Sequence, residues 1–210
     1  MKIFNFCLGC AIVGLPIATV SPAKAFGFIS DITGADMVGI EVTVSFENGS
    51  SEMGIWAATG VDSGAASGTG WDLSIAGNTN FGAWIFSYTG TKTISSLLID
   101  TLPGNTIFDT ILLPELTPTT GIGNRFGSFS GASPTEENYS GTVLGALEDV
   151  KTSLELVWEN GFNDPVLAFV ADTDGIEGFN PDPEPVPEPT ATLGILGSLA
   201  LGTVSLRKKK

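Results

Sequence analysis

The chain has 210 residues, with 23 acidic against nine basic side chains, no histidine and two cysteines, for a formal net charge of −14. That balance repels nucleic acid and anionic lipid. The missing histidine excludes a serine–histidine–acid triad and any zinc or haem held by histidine. Between residues 26 and 189 only Lys92, Arg125 and Lys151 face all 23 acids, a local net charge of −20.

Residues 1–25 read as a secretory signal peptide. Lys2 is the charged start, Ile3 to Val20 is mostly apolar but short for a span, and Ala23-Lys24-Ala25 has the small-x-small form that signal peptidase cuts after Ala25. Pro16 argues against a retained membrane helix, and Cys10 comes too early for a lipoprotein site. Cys7 and Cys10 both leave with this peptide, so the exported chain must stand on its core, without disulfides. The remainder up to the proline-rich stretch, roughly 155 residues, suffices for one domain.

That domain, residues 26–180, reads as an all-β antiparallel β-sandwich with jelly-roll-like connectivity as the first topology and another Greek key as the second. Met37 to Glu47 alternates Val38, Ile40, Val42, Val44 and Phe46 with small and polar residues, a period of two. Asn48-Gly49 then signals a hairpin, with a return strand from Glu52 to Ala58. In that return strand Met53, Ile55 and Ala57 read as the inward side, which turns Trp56 outward. The stretch TGVDSGAASGTG reads as a glycine- and serine-rich loop. Further strands are expected over Trp71–Ile75, Phe81–Tyr88, Thr93–Leu102, Thr106–Leu113, Leu154–Glu159 and Val166–Ala171, with Pro103-Gly104-Asn105 turning the chain. Thr142 to Thr152 reads equally as a short helix or a strand. No fixed-period repeat is visible, which argues against solenoids and propellers.

Beyond the domain, Pro181 to Pro189 reads PDPEPVPEP, a semi-rigid stalk without a core. Thr190 to Leu206 is uncharged; its seventeen residues make a helix about 25 Å long, close to a hydrocarbon core. Arg207, Lys208, Lys209 and Lys210 come last and would stay cytoplasmic, holding the acidic domain outside. A retained single-span anchor uses the same residues.

Val186-Pro187-Glu188-Pro189, the apolar run and the closing basic cluster together resemble the PEP-CTERM sorting signal. The resemblance covers about 25 residues and implies an exosortase-type enzyme that processes the chain near Pro187, Glu188 and Pro189. It also implies transient passage through an inner membrane and delivery to the envelope or an exopolysaccharide matrix. More loosely, the segments ADMVGIEVTVSFENG, WAATG, LLIDTLPGNTIFDT and FVADTD are similar to ectodomains of such proteins.

Chemistry-bearing residues are few. Gly121 to Gly127 echoes a phosphate loop with the wrong spacing and no βαβ setting. Asp172 and Asp174 come after an apolar strand and, with Glu177, are candidate calcium ligands; hard oxygens suit that ion, although the EF-hand pattern is not met. The plainer alternative is an aspartate-rich turn. Trp56 is the candidate platform for a sugar ring, against a core role for the tryptophans. A hydrolase would have to use carboxylates alone. The sequence therefore points to a non-catalytic exported protein, with polysaccharide or calcium binding as the alternative.

Overall fold

The computed structural model describes residues 27–110, 123–142 and 150–177. The segments 1–25 and 190–206 lie outside them. Among the described residues no helix is long and apolar enough to cross a membrane.

The fold is all-β and antiparallel. Its strands are β1 (Gly27–Ile29), β2 (Glu41–Phe46), β3 (Ser51–Ile55), β4 (Ala57–Ala58), β5 (Ser63–Gly68), β6 (Trp71–Ala76), β7 (Trp84–Tyr88), β8 (Ile94–Asp100), β9 (Thr106–Asp109), β10 (Gly127–Ser130), β11 (Glu136–Ser140), β12 (Val150–Lys151), β13 (Ser153–Phe162), β14 (Val166–Val170) and β15 (Asp172–Glu177). One sheet runs β11-β13-β8-β2-β3 and a second β10-β14-β7-β6-β5-β4. Val42, Val44, Leu97, Ile99, Leu154 and Leu156 of the first share one continuous core with Leu73, Ile75, Trp84, Phe86, Leu167 and Phe169 of the second. The arrangement is sandwich-like, with apolar inner faces and polar outer ones.

The strand order is not that of a jelly roll. β5, β6 and β7 are consecutive neighbours, and β2 pairs directly with β3. Tight turns explain this. Phe46 and Gly49 close the first hairpin by an N–H to carbonyl bond of 2.9 Å, with Gly49 at φ +80°. The β5–β6 turn uses Gly70 at φ +77°. Such short connections hold successive strands in one sheet.

Other expectations shift. The alternating stretch from Met37 begins as a 3-10 turn, Gly34–Met37, so Val38 lies outside the strand and is exposed. Phe81 is exposed too, the aromatic strand starting at Trp84. Of the stretch between Thr142 and Thr152, Val150 and Lys151 form strand β12, and 143–149 lie outside the described residues.

The largest correction concerns the glycine- and serine-rich segment, which holds β5 instead of a loop. Its small residues are a packing requirement. A Cβ on Gly64 would stand 2.1 Å from Trp56 Nε1 and 2.2 Å from the Gly34 carbonyl oxygen. The indole of Trp56 is fully buried and donates 2.8 Å to that same carbonyl. β5 therefore leaves space for an indole, and small side chains erased the usual strand signature.

A third sheet, β1-β15-β9-β12, joins the first described strand to the last. Gly27 pairs with Glu177. The chain steps from β14 to β15 at Ala171, whose carbonyl accepts a 2.8 Å bond from Trp84 Nε1. One face of this sheet sends Phe108 into the main core. The other holds Ile107, Val150 and Ile176, with Phe28 and Leu102 packed against them.

Gly64→Ala should destabilise the protein by about 1–3 kcal/mol through overpacking against an indole that cannot move without losing its bond. The check is the urea midpoint together with the near-ultraviolet dichroism of the tryptophans.

Candidate functional site

The described residues hold one unusual concentration of polar groups in a dry place. Asp109, Asp172 and Asp174 are 1%, 4% and 1% exposed, a depth that carboxylates seldom reach. The sheet register brings them together. Asp172 lies directly opposite Asp109, and Asp174 opposite Ile107. Alternation along β15 puts Asp172, Asp174 and Ile176 on one face, shared with Asp109.

The local chain path explains why these side chains point inward. The Trp84 bond pins Ala171 at the step between sheets. Thr173 then faces the main core, its hydroxyl donating 3.4 Å to Met37 Sδ. Its flanking aspartates must take the opposite face. The Asp172 N–H donates 2.9 Å to the Asn124 carbonyl, and the Asn124 amide donates to the Asn80 carbonyl and side-chain oxygens. The Thr79 hydroxyl donates toward the Thr173 carbonyl at 2.8 Å and Asp172 Oδ1 at 3.2 Å. Asp31, at φ +63°, stands at the exposed margin and accepts from the Asn78 amide.

Asp174 is the least satisfied member. Its Oδ2 is buried and has no hydrogen-bond partner. Neither Asp172 nor Asp174 belongs to the ion pairs Lys92–Glu52 and Arg125–Glu137. Burial pushes the Asp172 carboxyl up to about 7; the Thr79 bond opposes this and the charge of Asp109 adds to it. Burial also pushes Asp174 up to about 8, reinforced by Asp172, Asp109 and Asp31. Both carboxyls thus favour a neutralised form, by proton or by cation.

The expected site residues separate on this geometry. Asp172 and Asp174 are brought together in a strand, not in a turn. Glu177 is not with them: it sits at the far end of β15, exposed, and its odd position sends it to the opposite face. Asp109 takes its place. Its signal is present in the sequence, an aspartate alternating with Ile107 in a strand, but only cross-strand register reveals the pairing. Among the described residues no three acidic side chains close into a ready-made metal cage.

Trp56 is not a sugar platform. It is fully buried, while Met53 and Ile55 are 56% and 62% exposed. The expected alternation is inverted, because β3 pairs Met53 with Thr43 and Ile55 with Glu41, all on the outer face. Trp71, Trp84 and Trp158 are also buried. Trp84 lies in the core, with Trp56 at 5.3 Å and Phe169 stacked at 5.9 Å. Pro187, Glu188, Pro189, Arg207, Lys208, Lys209, Lys210, Ala23 and Ala25 lie outside the described residues.

Comparison with protein-family models, with curated proteins and with solved structures returns no match.

In metal-free buffer the raised carboxyls make a signed prediction. The folded state holds protons that the unfolded chain, with aspartates near 3.9, has already released. Their contribution is therefore most favourable below about pH 4 and is lost as pH rises toward about 8. Asp174→Asn should remove much of that slope and be the more stable protein at pH 9, the difference vanishing at pH 4. Parallel chemical denaturation of both proteins across this range is the measurement.

Proposed function

We propose that this chain is an exported, non-catalytic envelope or extracellular-matrix protein, whose acidic β-sandwich is delivered by a sorting signal. The observation that carries the reading is the order of Pro187-Glu188-Pro189, the uncharged run 190–206 and the basic cluster 207–210 behind an export-type leader. In this reading signal peptidase cuts after Ala25, and the run 190–206 halts in the inner membrane with the bases inside. An exosortase-type enzyme then acts near Glu188, and the domain joins an exopolysaccharide layer. The domain in this reading is a sandwich of the Greek-key type.

The geometry of the domain supports such handling. Gly27 and Glu177 are paired neighbours, so the described domain begins and ends side by side on adjacent strands of one sheet. Its charge suits a hydrated anionic surface that stays soluble and attracts cations. Its three bases are engaged or dispersed: Lys92 pairs with Glu52 and Arg125 with Glu137, while Lys151 lies on the two-residue strand β12.

Intact mass of the protein recovered from its native envelope tests the reading. The expected species begins at Phe26 and ends near Pro187 to Pro189. A species that retains Arg207 to Lys210 would overturn processing and leave a plain single-span anchor.

A further inference from the structure

We propose that the buried face formed by Asp109, Asp172 and Asp174 is the binding site of one hard divalent cation of the calcium class. This stands apart from the sorting reading and holds whether or not the tail is processed.

Three observations converge on a cation. First, three carboxyls occupy one face of two paired strands, and neither Asp172 nor Asp174 belongs to the ion pairs made by Lys92 and Arg125. Charged carboxyls that share one dry face repel one another, and a cation relieves that repulsion. Second, Asp174 Oδ2 is an orphan in a residue only 1% exposed, and its neighbours in charge are Asp172 and Asp109. A buried oxygen without a hydrogen-bond partner, in the field of two other acids, calls for a ligand of opposite sign. Third, the surroundings are rich in oxygen. The Thr79 hydroxyl touches Asp172, and Asp31 stands at the margin.

The donor set selects the ion. Oxygen ligands without thiolate or imidazole suit calcium, or with stricter geometry magnesium, and not zinc or copper. The flexible calcium shell tolerates the spread of these side chains better than the octahedral magnesium one. The cation need not find a finished cage. Cα positions are set by the sheet, while carboxyl groups swing about χ1 and χ2, so an arriving ion draws them inward.

A spectroscopic reporter is built in. Trp84 donates to Ala171, the residue before Asp172, and its ring lies 6.5 Å from that of Phe108, the residue before Asp109.

The test uses the full chain in mild detergent at constant ionic strength. Calcium should raise Tm in proportion to the logarithm of its concentration once above Kd, change Trp84 emission, and titrate calorimetrically as one ion per chain. Asp174→Asn should lose all three responses, and Glu177→Gln should keep them. Should Asp174→Asn not fold, Asp172→Asn takes its place in the same comparison. Absence of any response in the parent up to millimolar calcium overturns the proposal. So does an equal response in the parent and the aspartate variant, which would assign the effect to screening of the surface charge.

Discussion

One hydrogen bond, from the Trp84 indole to the Ala171 carbonyl, governs the path of the chain around the buried carboxyl groups. A buried indole N–H usually takes an acceptor, and that of Trp84 takes one at the point where the chain leaves one sheet for another. With Ala171 held there, the next residue that can face the core is Thr173. The aspartates on either side of it are thereby committed to the opposite face, next to Asp109. A packing demand in the core thus dictates where carboxyl groups end up. Such coupling is characteristic of dense interiors, in which side-chain positions are not independent.

The indoles of Trp56 and Trp158 impose demands of the same kind. Trp56 requires Gly34 to offer its carbonyl and Gly64 to withhold a side chain. Trp158 donates to the Ala132 carbonyl at 3.0 Å, which ties the strand β13 to the loop between β10 and β11. Without disulfides in the described residues, these indole contacts join segments that are far apart in the sequence. The acidic surface and the aromatic core divide the work. Charge keeps the exterior hydrated, and the interior rests on large rings packed against glycine. Among the described residues the exception to that division is the set of three buried aspartates, Asp109, Asp172 and Asp174, where the acid character of the chain enters its interior.

A sheet that contains both the first and the last described strand has consequences for assembly. β15 stands between β1 and β9, so this sheet cannot be completed until the end of the domain has been made and delivered. Contacts of such long sequence separation form late and slowly. The acidic face belongs to this same sheet. Its completion is therefore tied to completion of the whole domain, while the β5–β6–β7 meander has only neighbours to wait for.

Much was legible in the sequence wherever the signal is local. The alternation at Val42, Val44 and Phe46, the Asn48-Gly49 turn and the strands around Trp71 and Ile94 stem from backbone and side-chain periodicity alone. So does the all-β class, while composition alone gives the absence of histidine and the negative field. What tertiary structure alone decided were relations between distant segments. It made a strand of a glycine-rich stretch, because Trp56 needed the space. It turned Trp56 inward and Met53 outward, because register with Thr43 and Glu41 overrides apolar alternation at an edge. It exchanged Glu177 for Asp109, because a carboxyl's neighbours are fixed by the strand across the sheet and not by the residues that come after it in the chain.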